Sequence, residues 1–210
     1  MKLKVSVSFI KSKLKEQETV MKIAESKADY IHVDIMDGKF VPTKNYTFKD
    51  IYKFVSGISK PLDVHLMCEK PEKYVRNFAM LNTEFITFHL EAVSDVDKMI
   101  DIIHSYGIKC GISIKPETEL TLLEPYLDKI ELVLIMTVEP GKGGQEFITD
   151  MASKVDKVRE LNKKVIISVD GGVNDKTVKY LKNCDMIVSG SYVCMNDNYD
   201  ESINKLKNYV

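Results

Sequence analysis

An alternation of short apolar runs with longer amphipathic stretches, repeated eight times in 210 residues, most constrains the fold. The apolar runs are nearly continuous, which is typical of parallel strands covered by helices on both faces. Eight strand–helix units predict a closed (β/α)8 TIM barrel of the α/β class, with residues 1–210 forming a single domain. An open, doubly wound sheet is the alternative, and eight nearly even units suit it less well.

The predicted strands and helices follow from these runs. The strands are LKVSVSF, YIHVDIM, PLDVHLM, FITFHL, IKCGISI, IELVLIMTV, KVIISVD and DMIVSG. The first helix is predicted to place Leu14, Met21, Ala24 and Ala28 on one apolar stripe. The later helices are predicted at about 48–55, 71–81, 94–105, 117–126, 147–161, 174–183 and 200–208, with Asn174 as an N-cap.

Composition and charge exclude several classes of protein. Thirty Lys+Arg residues balance 31 Asp+Glu residues, so the chain lacks the basic footprint of a nucleic-acid-binding protein. No apolar run reaches the ~18 residues of a membrane helix, and MKLKVSVSFI is too short and too charged for a signal peptide. We therefore expect a cytoplasmic protein without a nucleic-acid or membrane partner.

The cysteines are expected to be free thiols: Cys68, Cys110, Cys184 and Cys194.

Polar side chains interrupt the apolar strands near their carboxyl ends, where barrels of this kind carry their sites. His32 and Asp34 share one face of strand two, His65 lies near the end of strand three, and Asp170 ends strand seven. Each residue alone has an ordinary explanation as a core histidine or a turn aspartate. Together, two imidazoles and two carboxylates predict a site for a divalent ion such as Zn²⁺, Fe²⁺, Mn²⁺ or Co²⁺.

Three further polar residues lie near these strand ends. Strand four ends with His89 and Glu91, and Asp37 follows strand two. His89 is either a partner that steadies a metal ligand or a hydrogen-bonded core residue, and the sequence leaves both open. Asp37 is expected to support the turn or a neighbouring ligand.

Glycine-rich turns follow three consecutive strands. They read EPGKGGQ at 139–145, DGG at 170–172 and SGS at 189–191. Glycine lets backbone N–H groups approach an anion, and barrels often bind phosphate after strands seven and eight. Ordinary turn chemistry is the alternative reading. A cation on one side of the barrel mouth and an anion cradle on the other predict a phosphorylated sugar as ligand.

The motifs IHVDIMDGKFVP, PLDVHLM, LVLIMTVEPGKGGQEFI, VDGGV and GS resemble the ribulose-phosphate 3-epimerase family, which includes allulose-6-phosphate 3-epimerases. The resemblance runs in register from Ser8 to Ser191. It implies a (β/α)8 barrel that holds one divalent ion, binds a phosphorylated ketose and forms a homo-oligomer. The implied reaction inverts C3 of D-ribulose 5-phosphate to give D-xylulose 5-phosphate, through an enediolate whose charge the ion spreads.

The resemblance also implies roles for individual residues. Asp34 and Asp170 would be the acid and base on opposite faces of the sugar. The metal ligands would be His32, Asp34, His65 and Asp170. Met36, Met67 and Met136 would form the wall of the pocket. The implied substrate contacts are Ser8, His65, Gly141, Lys142, Gly143, Gly144, Gly171, Gly172, Gly190 and Ser191.

Departures from the family pattern leave the sugar open. Lys142 stands where the family has phenylalanine, and SVSFIKSK replaces the usual context of Ser8. A six-carbon pair, D-allulose 6-phosphate and D-fructose 6-phosphate, is therefore an alternative. A sugar-phosphate decarboxylase or hexulose-phosphate synthase would carry Asp-x-Lys where this chain reads DVHLM. A non-catalytic sugar-phosphate binder is expected to have lost one of the two aspartates, and both are present.

Overall fold

The computed structural model describes residues 2–208 and shows a closed barrel of eight parallel strands. Each strand pairs with its neighbours in sequence, and β1 also pairs with β8, so every one of these strands is paired on both sides. The predicted fold class is confirmed. The strands are β1 (Lys4–Ser8), β2 (Tyr30–Met36), β3 (Leu62–Met67), β4 (Thr83–His89), β5 (Lys109–Ile114), β6 (Leu132–Met136), β7 (Ile166–Asp170) and β8 (Met186–Val188).

Within residues 2–208, seven α-helices cover the outside of the barrel. They are α1 (Glu16–Glu25), α2 (Phe48–Val55), α3 (Glu72–Ala79), α4 (Val96–Ser105), α5 (Ala152–Leu161), α6 (Ser191–Cys194) and α7 (Tyr199–Lys207). The main apolar core lies between these helices and the outward faces of the strands, where Val33, Val64 and Ile86 are fully buried. Burial of this apolar layer is the principal stabilising contribution of the fold.

Strand register decides which polar side chains face each other inside the barrel. In the β2–β3 pair, His32 lies opposite Asp63 and Asp34 lies opposite His65. Alternate residues of a strand point to opposite faces. The apolar residues between them therefore pack outward, while these four polar side chains point into the barrel interior, Asp34 and His65 one layer nearer its carboxyl-terminal end than His32 and Asp63.

Two predicted α-helices are wrong. The segment predicted as a helix at 117–126 forms two short 3₁₀ turns, Leu120–Leu122 and Glu124–Tyr126, with Pro125 in the second turn. Lys154 donates to the carbonyls of Pro116 and Thr118 and holds this loop in place. Pro125 has no backbone N–H to donate to a helical ladder, which disfavours an α-helix through this segment.

The second error is the helix predicted at 174–183, which is one 3₁₀ turn at Val178–Tyr180. Asn174 still acts as a cap, because its side chain accepts from the backbone N–H groups of Lys176 and Thr177. Separate turns flank it, such as the one closed by the bond from Cys184 N–H to the carbonyl of Leu181, and the chain returns to β8 within a few residues.

The predicted apolar stripe on the first helix is wrong for Leu14 and Met21, whereas Ala24 and Ala28 do pack against the core. Leu14 and Met21 are 41% and 52% exposed, whereas Thr19, Val20 and Ile23 of α1 are buried. The hydroxyl of Thr19 donates to the carbonyl of Lys15 at 3.0 Å. Because its polar group is satisfied, Thr19 can face the core in a position that an apolar pattern does not reveal.

The four cysteines are free and buried, as predicted. No helix within residues 2–208 has both the length and the apolar character to cross a membrane.

Candidate active site and metal centre

Three strands bring four predicted ligands together at the carboxyl-terminal end of the barrel. His32 and Asp34 come from β2, His65 from β3 and Asp170 from β7. One ligand atom from each residue lies within 4.8 Å of the others. We call these four residues the cation cluster.

The geometry of the cation cluster is defined by the two imidazoles and the two carboxylates. Oδ1 of Asp34 lies 3.3 Å from Nε2 of His32 and 3.2 Å from Nδ1 of His65. Oδ2 of Asp170 lies 3.9 Å and 4.0 Å from the same two nitrogens. The two histidines therefore face the cluster with different ring nitrogens.

The donor set fits a divalent transition-metal ion. Two imidazole nitrogens with two carboxylate oxygens suit Zn²⁺, Fe²⁺, Mn²⁺ and Co²⁺. Nε2 of His32 is buried, points at the carboxylates and has no hydrogen-bond partner among the described residues. A buried nitrogen without a partner is costly, and a cation at this point would satisfy it.

The electrostatics of the cluster also call for positive charge. Burial raises the pKa of Asp170, the charge of Asp34 adds to this, and the resulting pKa is about 6. Burial opposes ionisation of Asp34 and of His32, yet their mutual attraction lowers the pKa of Asp34 well below its usual range and raises the pKa of His32. The site thus stabilises positive charge between two carboxylates.

Asp63 supports His32 and was missed in the sequence. Its Oδ2 lies 2.7 Å from Nδ1 of His32 and accepts a 2.8 Å hydrogen bond from the hydroxyl of Ser6. A carboxylate on the far nitrogen orients a metal-binding imidazole. Asp63 and Ser6 each precede a predicted site residue by two positions, so strand periodicity could have found them.

His89 is a hydrogen-bonded residue of the barrel interior that contacts His65, so its position fits both readings left open for it. Nε2 of His89 lies 2.8 Å from Nε2 of His65, and Nδ1 of His89 lies 3.3 Å from Oε2 of Glu91. His89 is a buried partner of a predicted ligand.

Asp37 supports the turn after β2. Its carboxylate accepts hydrogen bonds from the backbone N–H groups of Lys39, Phe40 and Glu69. One of the two expected roles is therefore confirmed.

A cavity opens above the cation cluster, and the predicted substrate residues surround it. Asp34 and Asp170 reach its floor, and His65 lies buried beneath the floor without lining it. The predicted contact between His65 and the sugar phosphate stays a prediction. The remaining predicted residues that line the cavity are Ser8, Met36, Met67, Met136, Gly141, Lys142, Gly143, Gly144, Gly171, Gly172, Gly190 and Ser191.

Backbone turns make up the side of the cavity away from β2 and β3. We call Gly141, Gly143, Gly144, Gly171, Gly172 and Gly190 the glycine rim. Gly172 has φ of +64°, and a Cβ there would lie 2.6 Å from the backbone nitrogen of Phe147. Only glycine fits this position without displacing backbone.

Two lysines stand at the outer edge of the glycine rim. Lys11 and Lys142 line the cavity, and a Cβ on Gly144 would lie 2.5 Å from Nζ of Lys11. Lys11 was not singled out in the sequence, because only the closed barrel brings the loop after β1 beside the loop after β6.

Comparison with known proteins identifies the family. A profile of the ribulose-phosphate 3 epimerase family matches residues 4–194. Ribulose-phosphate 3-epimerase of Helicobacter pylori strain J99 is 40% identical over 191 residues, 87% of each chain. The Bacillus subtilis enzyme of the same name is 36% identical over 189 residues, 86% of each chain.

Solved structures with low sequence identity share the fold. KGPDC from Streptococcus mutans superposes with a TM-score of 0.75 at 15% identity, covering 100% of this chain and 97% of that one. A 3-hexulose-6-phosphate synthase superposes with a TM-score of 0.69 at 15% identity and covers all of both chains. At this identity the likeness concerns the barrel alone.

Proposed function

Because the chain belongs to the ribulose-phosphate 3-epimerase family of isomerases that act on carbohydrate phosphates, we propose that it interconverts D-ribulose 5-phosphate and D-xylulose 5-phosphate. The reaction inverts C3, the carbon beside the ketone. The observation that carries this proposal is the meeting of Asp34 and Asp170 in the cation cluster at the floor of the cavity.

Inversion requires a proton to leave one face of C3 and another to arrive on the opposite face. In our proposal one aspartate accepts the C3 proton and the other, protonated, donates to the opposite face of the planar intermediate. Asp34 comes from β2 and Asp170 from β7, so the two carboxylates approach the cavity floor from different sides of the barrel. Their roles exchange in the reverse direction.

The side chains around the aspartates set their orientation. The hydroxyl of Ser8 donates to Oδ2 of Asp34 at 2.8 Å. The amide of Asn45 donates to the backbone carbonyl of Asp34 at 2.8 Å and fixes the end of β2. With one carboxylate oxygen held by Ser8, the direction in which Asp34 presents its other oxygen is set before substrate arrives.

His32, Asp34, His65 and Asp170 would hold the divalent ion. When bound, such an ion acts as a Lewis acid that makes a C–H bond beside a polarised carbonyl more acidic. Met36, Met67 and Met136 line the same cavity and are 3%, 2% and 3% exposed. They exclude water without offering a competing acid or base.

The glycine rim would bind the phosphate of the substrate. Closely spaced backbone N–H groups in turns form anion-binding concavities, and phosphate sites in barrels commonly follow strands seven and eight. A phosphate fixed there would position C3 over the two aspartates.

A six-carbon ketose phosphate is the second candidate substrate. Its phosphate lies one carbon further from the reacting centre, and Lys11 and Lys142 stand at the outer edge of the glycine rim, where added cationic charge would meet it. Comparing kcat/KM for the five-carbon and six-carbon epimer pairs distinguishes the two candidates.

Solvent isotope exchange tests the reaction itself. Metal-reconstituted protein incubated with D-ribulose 5-phosphate in D₂O is expected to place deuterium at C3, as read by NMR, and to form D-xylulose 5-phosphate. A protein that binds the sugar phosphate without exchanging the C3 hydrogen would be a binder, and the proposal would be wrong.

Metal removal tests the cation. Dialysis against a chelator is expected to abolish turnover, and addition of Zn²⁺, Fe²⁺, Mn²⁺ or Co²⁺ is expected to restore it. Full turnover by protein with no detectable divalent metal would contradict the role of the cation cluster. The homo-oligomer and the cytoplasmic location stay predictions.

A further inference from the structure

A chain of three side chains, two buried imidazoles and a partly exposed carboxylate, leads away from the cation cluster on the side of His65. His65 and His89 approach each other through their Nε2 atoms at 2.8 Å, and Nδ1 of His89 faces Oε2 of Glu91 at 3.3 Å. Both imidazoles are fully buried. The family assignment and the proposed reaction leave His89 and Glu91 without a role.

Glu91 is anchored as an acceptor. Its Oε1 accepts from the backbone N–H of Lys115 at 2.9 Å and also from the hydroxyl of Thr118. Burial raises the pKa of the Glu91 carboxyl, but the bond from His89 and the bonds from Lys115 and Thr118 outweigh this and bring the pKa to about 2. An ionised carboxylate has no proton to give, so Nδ1 of His89 must carry the hydrogen between them.

The hydrogen on Nδ1 of His89 determines where the hydrogen between His89 and His65 is bound. With its proton on Nδ1, neutral His89 offers a lone pair at Nε2. Only one hydrogen can lie between two ring nitrogens 2.8 Å apart, so Nε2 of His65 must donate it. Nδ1 of His65 lies 3.2 Å from Asp34 and faces the cation cluster, so it is left with a lone pair when a divalent ion, rather than a proton, lies between it and the carboxylate.

Packing keeps the intermediate imidazole in this orientation. The ring of Phe40 lies 4.8 Å from that of His89, centroid to centroid, and the His65 ring lies 4.9 Å away. Rotation of the His89 ring would break its hydrogen bonds to His65 and Glu91, and the adjacent rings of Phe40 and His65 oppose that rotation.

The two predicted histidine ligands, His32 and His65, are held in different ways. A carboxylate, Asp63, contacts Nδ1 of His32 directly, so His32 presents Nε2 to the cluster. For His65 the carboxylate acts through a second imidazole and the presented atom is Nδ1. Neighbouring strands thus deliver different ring nitrogens to one point.

We propose that Glu91 and His89 are positioning residues, which fix the Nε2–H tautomer of His65 so that its Nδ1 lone pair binds the divalent ion. This inference rests on the metal site of the proposed function and is independent of the identity of the sugar.

The test compares metal affinity among variants of the full chain. His89→Leu removes the acceptor for His65, and Co²⁺ affinity measured by chelator competition is expected to fall about 10- to 100-fold, the usual effect of losing such a partner. His89→Gln keeps an acceptor oxygen and is expected to restore most of the affinity. The visible absorption bands of bound Co²⁺ are expected to shift in the Leu variant. His104→Leu, which breaks an exposed His–Glu pair with Glu131, is the matched control and should leave the affinity unchanged.

The proposal would be overturned if folded His89→Leu bound Co²⁺ as tightly as the parent, or if Gln and Leu weakened binding equally. If the Leu variant does not fold, ¹⁵N NMR of the histidine rings in the Zn²⁺-loaded parent decides instead: hydrogen on Nε2 of His65 supports the proposal, and hydrogen on Nδ1 overturns it. A parent that binds no Co²⁺ refutes the metal site and this proposal together. A parent that binds Co²⁺ but turns over neither sugar refutes only the proposed reaction.

Discussion

On one side of the barrel mouth, the cation cluster consists of side chains that other buried side chains hold in place. On the other side, the glycine rim consists of backbone, held by turn conformations, with exposed lysines at its edge. The cluster is tied by a hydrogen bond from Ser8 to Asp34 and by hydrogen bonds that its two imidazoles make with Asp63 and His89. A substitution in the cation cluster therefore removes a reacting or metal-binding side chain, whereas a substitution in the glycine rim displaces backbone. The expected effects on turnover and binding differ in size for this reason.

The largest effect is expected from the aspartates. Asp34→Asn and Asp170→Asn each remove a carboxylate proposed as acid or base, and we expect kcat to fall about 10³- to 10⁴-fold, near the upper limit for general acid–base catalysis. Steady-state turnover with D-ribulose 5-phosphate measures this. Asp95→Asn is the control, because Asn caps α4 as well as Asp does. Activity within tenfold of the parent in either cluster variant would contradict the proposed mechanism.

The next largest effect is expected from Asp63, the carboxylate that contacts His32. Asp63→Asn keeps the shape of the side chain but removes its charge, so we expect metal affinity to fall about tenfold, as is usual for such partners. Chelator competition measures it, with thermal unfolding of the metal-free variant recorded alongside. An unchanged affinity would show that strand geometry alone orients His32.

On the glycine rim, Gly172→Ala is expected to act on KM. The added Cβ would meet the backbone of Phe147 and displace the turn. Losing one hydrogen bond to a charged phosphate costs about 1.5 kcal/mol, which corresponds to about tenfold in KM with kcat largely kept. Gly107→Ala is the matched control, since Gly107 also has positive φ but open space around it. A larger loss in kcat than in KM would mean that the rim takes part in the chemistry.

The smallest effect is expected from Lys142→Phe. An exposed charge at the edge of the rim contributes about 1 kcal/mol or less, so KM should rise about two- to fivefold. The six-carbon substrate should be affected more than the five-carbon one if its phosphate reaches further out. Lys163→Phe, in the loop before β7 at the opposite end of the barrel, serves as control. Equal KM for parent and Lys142→Phe on both sugars would remove Lys142 from phosphate binding.

The strands and the cation cluster were predictable because both follow a period of two. His32 and Asp34 interrupt an apolar run at adjacent inward positions, and parallel strands meet at one end of the barrel. The same rule would have found Asp63, two residues before His65. Helices were less predictable: the segments after β5 and β7 carry helix-compatible residues yet form only 3₁₀ turns. Bonds from the distant Lys154 hold one of them.

The sequence by itself determined the barrel, the order of its strands and the four side chains that meet in it, because local periodicity and the common direction of parallel strands are properties of the chain. Only the tertiary structure decided which nitrogen each histidine presents, that His89 backs His65, and that Lys11 lies beside the glycine rim. These depend on strand register and on the packing of loops far apart in sequence. No local pattern encodes the distance between two such segments.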